Sequence, residues 1–249
     1  MARSCTRTPA YMKNGSAVVT GRTVAFSIWF YALDTTGGML INIGDSDGGG
    51  TRNNIYISLS TNTVDLIQFR GGAFLYRSTT ATYSINTWHH AVGMIETGGK
   101  GYVSLDGNTI VSSAAYFGAA ALSGLDTTAI GAFIEPNGTF SNYCNAHLSM
   151  GAIWSNTIPI ADINALADGY TPLLIREDVL ESYWPLIGRT SPEIDVVGGY
   201  NMTLSANPPA IADNPRIIYP GVAHYGLTIP AAPTASPYMT TSPGLWGPL

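Results

Sequence analysis

The stretch NNIYISLST, residues 53 to 61, alternates apolar Ile55, Ile57 and Leu59 with polar Asn54, Tyr56, Ser58 and Ser60. A period of two belongs to an extended chain with one face in a core and the other toward polar surroundings. The same period recurs along the chain. TVAFSIWFYA puts Val24, Phe26, Ile28 and Phe30 on one face and Trp29 and Tyr31 on the other, which predicts a central strand. GMLINIG, TVDLIQFR, GAFLYRS, GYVSL, TAIGAFI and HLSMGAIW follow as short strands, separated by Gly, Asn, Asp and Ser. In GYVSLDGNTIV, Asp106-Gly107 tolerates the positive φ of a tight hairpin turn. One segment breaks the pattern: in IPIADINALADGY, Ile160, Ile163, Leu166 and Ala167 keep helical spacing, Pro159 opens it and Gly169 closes it. The spacing predicts a single short helix at about 160–168. Many short strands with one late helix imply an all-β, antiparallel two-sheet sandwich or jelly roll.

At 249 residues the chain has ample length for one such sandwich. Charged residues make up 11%, against about a quarter in an average soluble protein, so its surface is built from Ser, Thr, Asn and Gly. A net charge of −5 without a basic block argues against nucleic acid. The longest apolar runs fall well short of the ~20 residues of a membrane-spanning helix, and the opening MARSCTRTPAYMKNG lacks the apolar core of a secretion signal. Cys5 and Cys144 read as free structural thiols of a reducing compartment.

WHHAVGM, residues 88 to 94, holds two of the four histidines. Successive side chains of a strand point to opposite faces, so His89 and His90 diverge and share no site. NTWHHAVGM followed by KGYVSLDGNTI resembles the W-H-x-V stretch and Y-x-D-G hairpin of laminin G-like domains, within the concanavalin A-like lectin and glucanase superfamily. LSMGAIWSNTIPIADINALADGYTP, LESYWPLIG and TPAYMKNGSAVVTGRTVAFSIWFYA are similar to that family's late core strand and helix, its W-P-L strand and its opening strands. The resemblance covers about residues 8 to 205 and implies a concanavalin A-like jelly roll in which the W-H-x-V residues are framework.

That superfamily includes sugar binders, hydrolases and interaction modules, so the fold leaves function open. SPEIDVVGG resembles the E-x-D-x-x-E signature of laminarinase-type glycosidases, but the acid/base position is Gly198. Glu193 and Asp195 alone do not make the carboxyl pair of a retaining enzyme, and no catalytic residue is assigned. GDSDGGG offers Asp45 and Asp47, with Asp106 in the hairpin turn, as oxygen ligands for the calcium that several laminin G-like domains bind. The stretch has only the opening D-x-D of a calcium loop and reads as a Gly-rich connection. His147, His224 and the central pair show no zinc spacing with the cysteines. No metal or cofactor is expected. Tyr31, Tyr56, Tyr76 and Tyr116 are candidate stacking platforms for a sugar, with their orientation left open.

From Ala206 the composition changes: nine of the chain's fifteen prolines fall in the last 44 residues, which lack strand or helix periodicity. The expected division is therefore a jelly-roll domain at 1–205 and a Pro-rich extended arm at 206–249. In that arm Ile217, Ile218, Tyr219, Leu245 and Trp246 are apolar side chains suited to a partner's groove. NPRIIYPG resembles the segment ending laminin G-like proteins of tailed bacteriophages. This implies a non-enzymatic virion structural protein made in the host cytoplasm, a capsid decoration or cement subunit. Its arm would bind neighbouring virion proteins, the major capsid protein or further copies of the chain in a homo-oligomeric assembly. The alternative is a carbohydrate-binding, lectin-like module of a tail fibre or cell-surface protein, with a glycan as partner.

Overall fold

A computed structural model describes residues 1–219 apart from 7–8, 22, 72, 108, 113–121, 189–190, 207–209 and 212, and for 210–211 only the backbone. The chain runs through strands β1 (Ala2–Thr6), β2 (Tyr11–Asn14), β3 (Val24–Ala32), β4 (Gly38–Gly44), β5 (Asn53–Leu59), β6 (Val64–Arg70) and β7 (Ala73–Ser78). Next come β8 (Trp88–Ile95), β9 (Gly101–Leu105), β10 (Val111–Ser112), β11 (Thr127–Ile130), β12 (Phe133–Ile134), β13 (Phe140–Ser141) and β14 (Asn145–Trp154). Helix α1 (Ile160–Ala167) precedes β15 (Leu180–Trp184), β16 (Thr203–Ser205) and β17 (Ala210–Ile211). No helix among the described residues is long and apolar enough to cross a membrane.

Two antiparallel sheets form a jelly-roll sandwich. The first is ordered β10-β9-β8-β3-β14-β1-β17, with β15 also on β14, and the second β16-β2-β11-β4-β5-β6-β7. β3 lies in the middle of its sheet, as its two apolar faces predict. Its inward Val24, Phe26, Ile28 and Phe30 meet Ile41, Ile43, Ile55, Ile57 and Leu66 of the other sheet in the main core. Each such side chain, removed from water, contributes roughly 1.5–3 kcal/mol. Gly93 on β8 faces this core, where a Cβ would lie 2.2 Å from Ile57 Cγ2, so the sheets approach too closely there for any side chain.

The outer face of the first sheet carries a second core. Ala25, Val92, Met94, Ala152, Trp154 and Tyr183 are covered by Ile163 and Leu166 of α1 and by Ile158 and Ile175 of the flanking loops. The helix lies where the 3.6-residue spacing placed it, and Gly169 ends it with φ +98°. That glycine has a second constraint, because a Cβ would stand 2.3 Å from the Arg216 carbonyl oxygen.

Arg216 belongs to the Pro-rich tail, and packing continues past residue 205. β17 pairs with β1 at the sheet edge. Asp213 then accepts the Trp88 indole N–H (3.0 Å), and Asn214 Oδ1 accepts the Ser149 hydroxyl (2.9 Å). Ile217 packs against the second core, while Ile218 bridges Tyr170 by donating to the Gly169 carbonyl and accepting from Thr171 N–H. Residues 210–219, where described, thus form a strap over the outer face of the domain's own first sheet.

Candidate functional site

Among the described residues, the second sheet has no helix on its outer face. Strand register sets a row across it: Thr203, Lys13, Ala129, Asn42, Tyr56, Ile67 and Tyr76 are successive partners from β16 to β7. Asn54, Phe69 and Phe74 form a parallel row on the same face. Alternation puts Ile55, Ile57 and Leu59 in the main core, as the sequence predicts. The polar side of β5 is buried as well, which the period did not foretell. The cause is a small hairpin. After β11, Gly131 turns the chain out of the sheet, β12 and β13 pair, and Phe133 lies edge-on to Tyr56 at 5.5 Å and to Phe69 at 6.1 Å. Asn54 beneath it donates from Nδ2 to the Ile134 carbonyl (3.1 Å).

The tip of this hairpin is IEPNGT. Asn137 Oδ1 accepts the Thr139 N–H and hydroxyl, Gly138 has φ +78°, and the Glu135 N–H donates to the Thr139 carbonyl. Local chemistry of this kind fixes a tight turn. It forms one wall of an open groove of about 610 Å³, which continues into a smaller recess of about 150 Å³ over Tyr56 and Phe133. Gly50 and Thr51 of the Gly-rich loop after β4 form the second wall, and Gly71 of the β6–β7 turn the third. Phe69 is the floor.

Arg52 and Glu135 stand between groove and recess. Arg52 Nη2 donates to Glu135 Oε2 at 3.0 Å, and Ser141 Oγ donates to Glu135 Oε1 at 2.7 Å. The guanidinium lies 5.7 Å from the Phe69 ring centre and 5.5 Å from that of Phe133. Such an exposed pair adds at most about 1 kcal/mol to stability. What it supplies is a fixed array of donors and acceptors beside an aromatic surface. Burial raises the pKa of the Tyr56 phenol, so it stays a protonated donor. Next to the groove, Phe74 and Tyr76 on the edge strand are 57% and 60% exposed, with ring centres 6.1 Å apart and planes within 23°.

Other candidates fall elsewhere. His89 and His90 point to opposite faces. His89 Nδ1–H donates to Asp106 Oδ2 (2.7 Å) while its Nε2 accepts from Ser84 N–H; His90 Nε2 meets the Ser27 hydroxyl (2.8 Å) beneath Trp29. Asp106 Oδ1 also accepts the His90 N–H, and both turn residues have positive φ, Asp106 at +54° and Gly107 at +66°. The W-H-H and D-G motifs are therefore one structural lock that closes the β8–β9 hairpin. Asp106 does not join Asp45 and Asp47. Asp126 does, with carboxylate oxygens of all three within 4.8 Å of one another. This trio could hold a cation, although three carboxylates give about half the oxygens that calcium takes. Ser46 already donates to Asp126 from its N–H and hydroxyl.

Glu193 and Asp195 are buried structural carboxylates. Arg3 Nε and the Gly188 N–H donate to Glu193 Oε1, which ties β1 to the loop after β15. Asp195 accepts the N–H groups of Tyr183, Val197 and Tyr200 and the hydroxyl of Ser182. Cys5 and Cys144 are free, buried and adjacent, and the Cys144 thiol is pushed well above its ordinary pKa by Cys5 and by burial. Of the sugar-platform tyrosines, Tyr31 lies on the first sheet's outer face between Trp88 and His147, while Tyr56 and Tyr76 lie on the open face. Of the arm residues, Ile217 and Ile218 contact the chain's own body and Tyr219 is 55% exposed. Tyr116, His224, Leu245 and Trp246 lie outside the described residues. Sequence reading missed Arg52, Phe69, Phe74, Glu135 and Asn137. Alternation in VDLIQFR and AFLYRS puts Phe69 and Phe74 on one face, and IEPNGT is a turn signal, but no local pattern brings the three segments together.

The two-sheet jelly roll has a concanavalin A-like fold, similar to that of pentraxin, carbohydrate-binding and laminin G-like domains. No family model matches the sequence, and no curated protein does. Among solved structures, the chain is similar to a heptameric SAP-like pentraxin from Limulus polyphemus (15% identity, TM-score 0.55, 67% of this chain and 81% of that one). It is also similar to a Bacteroides ovatus protein described as carbohydrate binding (14% identity, TM-score 0.60, 82% of this chain and 57% of that one). Domains LG4-5 of the mouse laminin alpha1 chain match at 11% identity and TM-score 0.51, over 64% of this chain and 43% of that one.

Proposed function

We propose that the protein is a non-enzymatic carbohydrate-binding module whose site is the groove over Phe69. One observation carries this reading: an open groove whose aromatic floor is flanked by the Arg52–Glu135 pair and Asn137. A sugar presents both an apolar C–H face and a rim of hydroxyls, so it needs a ring to stack on and rigid donors and acceptors beside it. The similarity in fold to a protein described as carbohydrate binding supports the same class. Glu193 and Asp195, the carboxylates nearest in pattern to a glycosidase signature, are consumed by structural bonds away from the groove. Isothermal titration with glycans selected on an array tests the reading. Phe69→Ala and Arg52→Ala are expected to weaken binding at least tenfold, a change of about 1.4 kcal/mol. Full affinity in both variants, or no glycan bound by the wild type, overturns it.

The reading as a virion decoration subunit rests on the NPRIIYPG resemblance and on Tyr219, exposed at the end of the strap. None of the three structures named above is described as a virion component. Mass spectrometry of purified particles tests this role, with the chain at high copy number as the supporting result.

A further inference from the structure

The groove ends at the β6–β7 turn, but the aromatic surface does not. From Phe69 the ring centres step 5.6 Å to Phe74 and 6.1 Å on to Tyr76, across the last two strands of the sheet. Phe74 and Tyr76 leave more than half their surface in water on an edge strand, although apolar rings of this size are normally covered. The planes of Phe74 and Tyr76 lie within 23° of each other and that of Phe69 is tilted 39° from Phe74, so the three rings follow one another along one face of the sheet. Each step is comparable to the distance between successive pyranose rings in an oligosaccharide.

Charge narrows the class further. Arg52 and Glu135 are the charged side chains lining the groove, and they neutralise each other at 3.0 Å. Phe74 and Tyr76 bring no charge. Arg77, the next residue, pairs with Leu66 and so belongs to the inner face. A carboxylated sugar at Arg52 would stand beside the Glu135 carboxylate, which already neutralises that guanidinium and repels a second anion.

We propose, resting on the glycan-binding reading above, that the ligand is a neutral oligosaccharide. Its first ring sits on Phe69 beside Arg52, Glu135 and Asn137, and its next two rings stack on Phe74 and Tyr76. Stacking in series needs sugars that show contiguous axial C–H groups on one face, as β-linked gluco- and galacto-configured chains do. The edge strand is then a specificity element for chain length, and the Arg52–Glu135 pair one for charge.

The test is titration calorimetry on the whole protein with β-linked gluco- and galacto-oligosaccharides of one to five units, together with sialylated and uronate-bearing glycans. Affinity for the neutral series is expected to rise about tenfold or more from one unit to three and then level off. Phe74→Ala and Tyr76→Ala should reduce the trisaccharide affinity toward the monosaccharide value and leave monosaccharide binding unchanged. Because both side chains are largely exposed, the thermal midpoint should not move, which separates loss of a subsite from loss of the fold. Affinity independent of length, full affinity in both variants, or tighter binding of an acidic glycan overturns the inference while the groove remains a sugar site. A concentration-dependent dimer abolished by Tyr76→Ala, with glycan affinity intact, also overturns it and assigns the platform to a second copy of the chain. Wild-type protein that binds no glycan removes the underlying reading and this one with it.

Discussion

Replacing Asp195 with alanine separates a structural carboxylate from a catalytic one. The side chain is 5% exposed and accepts four donors: Tyr183 N–H at 2.9 Å, Val197 N–H at 3.0 Å, Tyr200 N–H at 2.9 Å and the Ser182 hydroxyl. Val197 is exposed and Tyr200 only half-buried, and their N–H groups regain water when the carboxylate is gone. The Ser182 hydroxyl and Tyr183 N–H are within β15, against β14, and have no such recourse. A buried donor left without an acceptor costs about 1–3 kcal/mol, so Asp195→Ala should destabilise by roughly 2–6 kcal/mol. That is a large part of the 5–15 kcal/mol typical of a folded domain. Asp195→Asn should fall between, since the amide keeps one acceptor oxygen but turns a donor toward a donor. Urea unfolding followed by tryptophan fluorescence reads the difference, with Trp184 next to the affected strand segment. Glycan binding at low temperature should survive in both variants. An alanine variant within 1 kcal/mol of wild type would refute the structural role. So would a folded Asp195→Asn protein that loses a glycan-hydrolysing activity present in the wild type.

The strap should show in stability as well: ending the chain after Ser205 removes Ile217 from the second core and the Ile218 bridge, and the melting temperature should fall rather than stay constant. Gly169→Ala attacks the same contact, because the new methyl meets the Arg216 carbonyl at a residue with φ +98°. Differential scanning calorimetry should show a loss of about 1–3 kcal/mol. Gly93→Ala presses a methyl against Ile57 in the main core and should cost a similar amount, read by urea titration. Burial lowers the pKa of His90 to about 3 from an ordinary 6.5, so below pH 6.5 the unfolded chain takes up a proton that the native state refuses. Stability should therefore fall as pH drops from 6.5 toward 5, by at most about 1.4 kcal/mol per unit from this group. His90→Gln should flatten the slope only in part, because burial lowers the pKa of His147 too.

Much of the architecture was legible in residue order. The period of two in β3 and β5, the turn chemistry of Asp106-Gly107 and the single helical run closed by Gly169 act over a few residues, where side-chain direction and backbone φ are set locally. That His89 and His90 diverge followed from the same geometry. Their joint role did not, since Asp106 reaches them only when the β8–β9 hairpin closes. Glu193 and Asp195 looked like part of a catalytic pattern because a sequence records spacing and not hydrogen-bond partners. The partner of Glu193 is Arg3, which lies 190 positions away. The tail from Ala206 read as an extended arm for a partner's groove because proline composition removes local structure, yet its described part is held by Trp88, Ser149 and Gly169 of the folded body. The groove is the furthest from the sequence. Arg52, Phe69 and Glu135 come from three loops and strands up to 83 positions apart, and only the stacking of β5 and β6 beneath the β12–β13 hairpin sets a cation, a ring and a carboxylate side by side. Periodicity fixes which face a residue occupies; which residues share that face is decided by strand order, and strand order is a property of the packed sheets.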